Sequence, residues 1–211
     1  METALPTPAD LVQGYHQFKA GKYAQQADLY EALSDGQKPP VMVISCCDSR
    51  VDPGDIFDVL PGQFFVVRNV ANLVPPCSCS DHNHAESAAL EFAVTGLGVQ
   101  HILVLGHAAC GGVKAALSAA NGQPAGKFIA PWVELLDKPR QAVLASGKQD
   151  KQTALEHAGI VSSLDNLMTF SFIKDAVEAG KLSLHGAWFA IETAELSWYD
   201  PDSGDFLKLE T

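Results

Sequence analysis

The sequence predicts an α/β protein: a mainly parallel central β-sheet flanked by helices, with an N-terminal helical arm and a C-terminal antiparallel hairpin. Three observations predict it. Short apolar, β-branched runs alternate with longer segments of helical period, the pattern of a sheet wrapped by helices. Those runs are largely apolar without an alternating polar face, as strands buried on both faces require. The last 16 residues instead hold two strand-like runs around Asp200-Pro201-Asp202-Ser203-Gly204, a hairpin turn.

Taken in order, residues 8–35 are polar with spaced apolar positions (Leu11, Tyr15, Phe18, Tyr23, Leu29, Leu33) and predict two helices broken near Gly21. Gly36-Gln37-Lys38-Pro39-Pro40 ends them. Val41–Ser45, Phe64–Arg68 and His101–Leu105, the last closed by Gly106, predict three strands. Helices are expected over 84–98 and again after Gly111-Gly112. Pro124, Pro131 and Pro139 restrict 121–150 to short helices. Residues 152–179 predict helix with an interruption near Phe170-Ser171, and Gly180 stops it. Leu184–Ile191 is a fourth strand; 196–199 and 206–209 form the hairpin. The whole reads as a single domain, with an arm over 1–35 and an α/β core over 36–211.

The 211 residues carry 25 acidic and 14 basic side chains, a formal net charge of −11. Such a chain repels polyphosphate and anionic lipid, so neither nucleic acid nor membrane is an expected partner. No apolar run approaches the ~18 residues of a membrane span. The start METALPTPAD lacks the basic and apolar regions of a secretory signal, and the expected location is cytoplasmic, or an organelle stroma or matrix if a transit peptide has been removed. Five cysteines, an odd number, argue against a disulfide framework and for metal binding or catalysis.

In open parallel sheets, ligands gather beyond the carboxyl ends of the strands. Cys46-Cys47-Asp48-Ser49-Arg50 follows the first strand and His107-Ala108-Ala109-Cys110-Gly111-Gly112 follows the third. Two thiolates and an imidazole (Cys46, His107, Cys110) suit tetrahedral Zn2+, one per chain, with the fourth position open. Cys110 stands where a helix should begin, whose positive end favours thiolate. Asp48 and Arg50 share one side of an extended segment and can pair bidentately. Singly, each of these residues reads as ordinary core or surface; together, at two strand ends, they read as a site.

These two segments resemble the signature motifs of β-class carbonic anhydrases. Arg68-Asn69-Val70-Ala71-Asn72, Ala88-Ala89-Leu90-Glu91-Phe92-Ala93-Val94 and Leu184-His185-Gly186-Ala187-Trp188-Phe189 resemble that family too. The resemblance implies reversible hydration of CO2 to bicarbonate and a proton by zinc-bound hydroxide, with Cys46, His107 and Cys110 as zinc ligands and Asp48 and Arg50 as the catalytic dyad. It places Gln37, Phe65, Val70 and Phe92 in the substrate pocket, Gln37 donating to a bicarbonate oxygen and the others forming the apolar wall. Val43 stands where members with an allosteric bicarbonate site carry tryptophan, so the chain is similar to the plant-type, open-site subgroup. The resemblance also implies self-association as a dimer or a multiple of dimers, with pocket residues from both chains. Cys47, where the family has a small residue, is read as packing. Cys77, Cys79, His82 and His84 are read as incidental polar residues of a loop. A carbon disulfide or carbonyl sulfide hydrolase of the same fold, and a non-catalytic zinc module, are the alternatives.

Overall fold

The computed structural model describes residues 7–78, 85–123 and 125–210. It divides into two compact units, 1–37 and 38–211. In the first, helix α1 (Pro8–Phe18) starts at a capping box, with Thr7 and Asp10 exchanging side-chain and backbone hydrogen bonds. The expected break near Gly21 is a wider, π-helical turn over Lys19–Tyr23, and regular helix resumes as α2 (Ala27–Ser34) after Gln26 leaves helical geometry. Glycine weakens a helix without ending it, so the turn widens there. The aromatics of this unit pack on one another, with Phe18 edge-on to Tyr30 at 6.0 Å and Tyr23 against Tyr30 at 4.9 Å.

The second unit is built on a sheet of six strands among the described residues, in the order β2-β1-β3-β4-β5-β6. These are β1 (Val41–Cys46), β2 (Phe64–Asn69), β3 (His101–His107), β4 (Ser183–Ala190), β5 (Glu195–Asp200) and β6 (Asp205–Lys208). The first four are parallel and the last two add antiparallel, as the hairpin pattern predicts. Strand β3 runs two residues past the expected stop, because Gly106 keeps pairing with Trp188 and His107 with Phe189. Its final side chain is therefore held by the sheet rather than by a loop.

Both faces of β1 are buried, as its unbroken apolar run requires. Met42 and Ile44 join Leu90, Ile102, Val104, Ile160 and Leu164 on one side. Val43 joins Leu103, Leu105 and Ala187 on the other. The helices around the sheet are α3 (Pro53–Ile56), α4 (Ala85–Glu91), α5 (Gly111–Ala120), α6 (Ile129–Val133), α7 (Asp137–Ala145), α8 (Lys151–Leu167) and α9 (Ser171–Glu178). Helix α4 widens into a π-helical stretch over Phe92–Leu97, ended by Gly98 in the left-handed region. The short α3 has no counterpart in the sequence reading. Its signal was present: Asp52 caps it by accepting from Gly54 N at 2.8 Å, and Pro53 occupies its first position.

Helix α8 lies against β3 and β4, and the approach is closest at two glycines. A Cβ at Gly106 would stand 2.6 Å from Ile160 Cδ1, and one at Gly186 would stand 2.9 Å from Ile160 Cγ2. Gly106→Ala is expected to lower unfolding stability by about 1–3 kcal/mol, the usual cost of overpacking. Ile160→Val in that background should recover part of it, as read by urea denaturation.

Candidate metal centre

Chain order runs β1, β2, β3, yet β1 lies between the other two. The chain therefore steps from β1 out to β2 and then crosses back past β1 to β3, and the ends of β1 and β3 form the switch point where open α/β sheets bind ligands. Cys46 ends β1 and His107 ends β3. Cys110 caps α5, three residues on, with its own backbone extended.

The three side chains converge. Their ligand atoms all lie within 4.8 Å of one another, and all three residues are buried. Cys46 Sγ and Cys110 Sγ are 3.9 Å apart. Two sulfurs each ~2.3 Å from one tetrahedral ion would be about 3.8 Å apart. His107 is fully buried; its Nδ1 meets the Ala108 carbonyl at 2.9 Å, while Nε2 has no hydrogen-bond partner among the described residues. An imidazole fixed through one nitrogen with the other bare and facing sulfur is the state of a metal ligand.

Electrostatics point the same way. The hydrogen bond shared with Cys110 lowers the Cys46 thiol below its ordinary range, while the same contact, together with burial, raises the Cys110 thiol. Two buried thiolates this close repel each other, so the helix start at Cys110 does not by itself favour ionising both. The residues fit a divalent ion that lets both ionise.

Beside the cluster, Arg50 grips Asp48 through three bonds: N and Nε to Oδ1 at 3.0 and 2.9 Å, and an Nη to Oδ2 at 2.7 Å. These bonds hold the Asp48 carboxyl well below the usual carboxylate range. Asp48 Oδ2 reaches within 3.9 Å of His107 Nε2. The same Arg50 Nη donates to Ala109 O at 3.3 Å. The predicted bidentate pair is thus present and anchored to the loop of Cys110.

Two residues outside the sequence reading of the site hold it together. Arg68, on β2, donates to the carbonyls of Cys46 (2.9 Å), Asp48 (2.8 Å) and Val51 (2.7 Å), and to Asp52 Oδ2 at 3.2 Å. Glu156, on α8 and only 3% exposed, accepts from Cys110 N at 2.9 Å, Gln152 Nε2 at 2.7 Å and Trp188 Nε1 at 3.0 Å. Burial raises its carboxyl above the usual range, with the donors working against that. A signal for Glu156 existed: it falls on the same helical stripe as Gly159, Ile160, Ser163 and Leu167.

Of the expected pocket residues, Val70 packs against the cluster that holds Cys46 and Cys110, and the others stand elsewhere in the chain. Phe65 and Phe92 pair at 5.8 Å between centroids, and Phe92 is 52% exposed. Phe65 stands four residues before Asn69, the residue opposite Cys46, which is about 13 Å of strand. Val70 packs where a Cβ on Gly112 would meet its Cγ1 at 2.6 Å. Gln37 is the last residue of the first unit. Cys47, expected to pack, is exposed: the strand ends at Cys46, and only the Cys47 backbone continues the ladder, to Asn69 O at 2.9 Å. Cys77 is also exposed, and Cys79, His82 and His84 lie outside the described residues.

A mixed sheet whose switch point carries a buried Cys2His cluster, with a carboxylate–guanidinium pair beside it, defines an α/β protein with a candidate metal centre. Residues 41–196 match the family described as carbonic anhydrase, and the chain belongs to that family, in its β class. It is 35% identical to a carbonic anhydrase of Synechocystis over 201 residues, 93% of this chain and 73% of that protein. The solved β-carbonic anhydrase CcaA superposes with a TM-score of 0.89 at 34% identity, covering 95% of this chain and 91% of its own. A tetrameric β-carbonic anhydrase from Sordaria macrospora gives 0.78 at 27% identity, with 89% and 94% covered.

Arg68→Ala would leave the Cys46, Asp48 and Val51 carbonyls without their shared donor. It is expected to cost about 2–4 kcal/mol of stability, measured by chemical denaturation of the metal-loaded protein.

Proposed function

We propose that the protein hydrates CO2 reversibly to bicarbonate and a proton, with zinc held, one ion per chain, by Cys46, His107 and Cys110. The observation that carries this reading is the buried three-ligand cluster with Asp48 alongside and tied to Arg50. A structural zinc site closes with a fourth protein ligand. Of the two nearest candidates, Cys47 is exposed and Asp48 is engaged by Arg50. That leaves a coordination position for water or substrate, the open arrangement expected from Val43.

A divalent ion there supplies Lewis acidity, which makes water a nucleophile near neutral pH. The chain's own groups do the rest. Asp48 Oδ1 is occupied by two Arg50 donors, so Oδ2, with one, is the oxygen that faces the cluster and can accept a hydrogen bond from the attacking water. Arg50 keeps that carboxylate ionised and aimed. Phe65 and Phe92 offer the apolar wall for CO2, with Val70, and Gln37 the donor for a bicarbonate oxygen. Because Phe65 sits about 13 Å of strand from the Cys46 end, with Phe92 beside it, we assign the complete pocket to two copies of the chain. The tetrameric Sordaria relative supports association. A reducing compartment, the cytoplasm or an organelle interior, suits the free thiols of Cys46 and Cys110.

Stopped-flow CO2 hydration and metal quantification on one sample test this. One zinc per chain with rapid hydration is expected. Asp48→Asn should keep the zinc and lose about 100-fold or more of the hydration rate; full activity in that variant removes Asp48 from the mechanism. Zinc without hydration in the wild type would point to the hydrolase of sulfur-containing CO2 analogues. Cys110→Ala should purify with little zinc.

A further inference from the structure

The peptide between Ala109 and Cys110 is held from both ends. Its carbonyl accepts from Arg50 at 3.3 Å, and its N–H donates to Glu156 Oε1 at 2.9 Å. Ala109 itself has φ +55°, left-handed geometry that a residue with a Cβ adopts only when its surroundings impose it. Glu156 is buried, with no ion pair among the described residues, and its oxygens are divided. Oε1 takes Cys110 N and Gln152 Nε2, and Oε2 takes Trp188 Nε1. Gln152 Nε2 donates in turn to Cys110 O at 3.1 Å, so α8 grasps the backbone of Cys110 on both sides of its Cα.

We propose that Glu156 is a positioning residue of the metal centre: by binding the Cys110 N–H it holds the Ala109–Cys110 peptide in its strained orientation, and so aims both the Cys110 sulfur and the carbonyl that anchors Arg50. The proposal rests on Cys46, His107 and Cys110 being the metal ligands. Its logic is mechanical. If the N–H were released, Ala109 would relax toward ordinary backbone geometry and the peptide would rotate. Rotation swings Cys110 Cβ, and with it the sulfur, away from Cys46, and it withdraws Ala109 O from Arg50. One carboxylate on α8 thereby sets a ligand and the Asp48–Arg50 pair together, although it touches neither the ion nor substrate. Gln152 alone cannot do this, since its donor reaches the carbonyl of Cys110 and not the amide.

The test is the rate at which zinc passes from the folded protein to an excess of chelator, with the thiolate-to-cobalt charge-transfer band of cobalt-substituted protein as a second readout. In Glu156→Ala, release should quicken by about 10- to 100-fold, the usual effect of removing an outer partner of a metal ligand, and the cobalt band should shift. Ala109→Gly in that background should slow release again, because glycine adopts the left-handed geometry without strain. A residue that only stabilises α8 gives no such rescue, so fast release that Ala109→Gly leaves unaltered overturns the proposal. Wild-type release in Glu156→Ala overturns it too. Should that variant not fold, Glu156→Gln carries the test. An amide has one acceptor oxygen for three donors, so release should rise by less than about 10-fold with a moved cobalt band; wild-type release with an unmoved band is the contrary result. A wild-type protein that takes up no metal overturns the ligand assignment itself and the positioning role with it, which separates that failure from the others.

Discussion

Two sulfur atoms 3.9 Å apart, both buried among apolar side chains, cannot both carry charge unless a cation lies between them. The rest of the structure is arranged around that constraint. Ala71, Leu73, Val113, Ala116 and Leu136 share one buried apolar cluster with the cysteines. The two arginines nearby are committed: Arg50 to Asp48, Arg68 to the carbonyls of the 46–51 loop. Neither is free to neutralise a thiolate. His107, whose Nε2 has no hydrogen-bond partner among the described residues, completes the set of donors.

The sheet makes this convergence cheap in chain entropy. Cys46 and His107 end adjacent parallel strands whose register is fixed over five residue pairs, so two of the ligands are placed by backbone hydrogen bonds rather than by loop packing. The third is brought by a tight turn, and the turn needs space. Gly106 admits Ile160 of α8, and Gly112 admits Val70 and Ala71. Ala71, Asn72 and Ala109 take left-handed backbone geometry around the same spot. Strain gathered at one end of one sheet, and sustained by Arg50, Arg68 and Glu156, marks that end as the functional one.

Much of this was legible in the sequence, and the reason is physical. A strand buried on both faces must be apolar throughout, so Val41–Ser45 and His101–Leu105 announced themselves. What followed each strand then had to lie at the sheet's carboxyl edge, which put Cys46, Asp48, Arg50, His107 and Cys110 together. Glu156 was not legible in that way, because a charged residue on a helix ordinarily faces water. Only its position among Gly159, Ile160 and Ser163 on the helical stripe betrays it. Arg68 was hidden for a similar reason: its four bonds go mostly to backbone carbonyls, which no side-chain pattern encodes. Cys47 was misread as packing because alternation says which way a side chain points but not whether anything lies there.

Glu156 raises a question that the charges of the whole site answer. A carboxylate buried without a paired cation is normally unfavourable. Here Arg50 is paired with Asp48 and Arg68 with Asp52, and Glu156 is offset by three N–H donors, from Cys110, Gln152 and Trp188, rather than by a cation. A divalent ion between the two sulfurs would offset the repulsion of two buried thiolates. Each anion has a separate task. The thiolates hold the metal, Asp48 faces the water, and Glu156 stands behind Cys110, where its charge bears on the peptide N–H and not on the reacting atoms. Had the same carboxylate stood beside His107 Nε2, it would compete for the metal and close the fourth position. On α8, with Trp188 and Gln152 satisfying its remaining lone pairs, it fixes the geometry of the site and leaves the coordination position open.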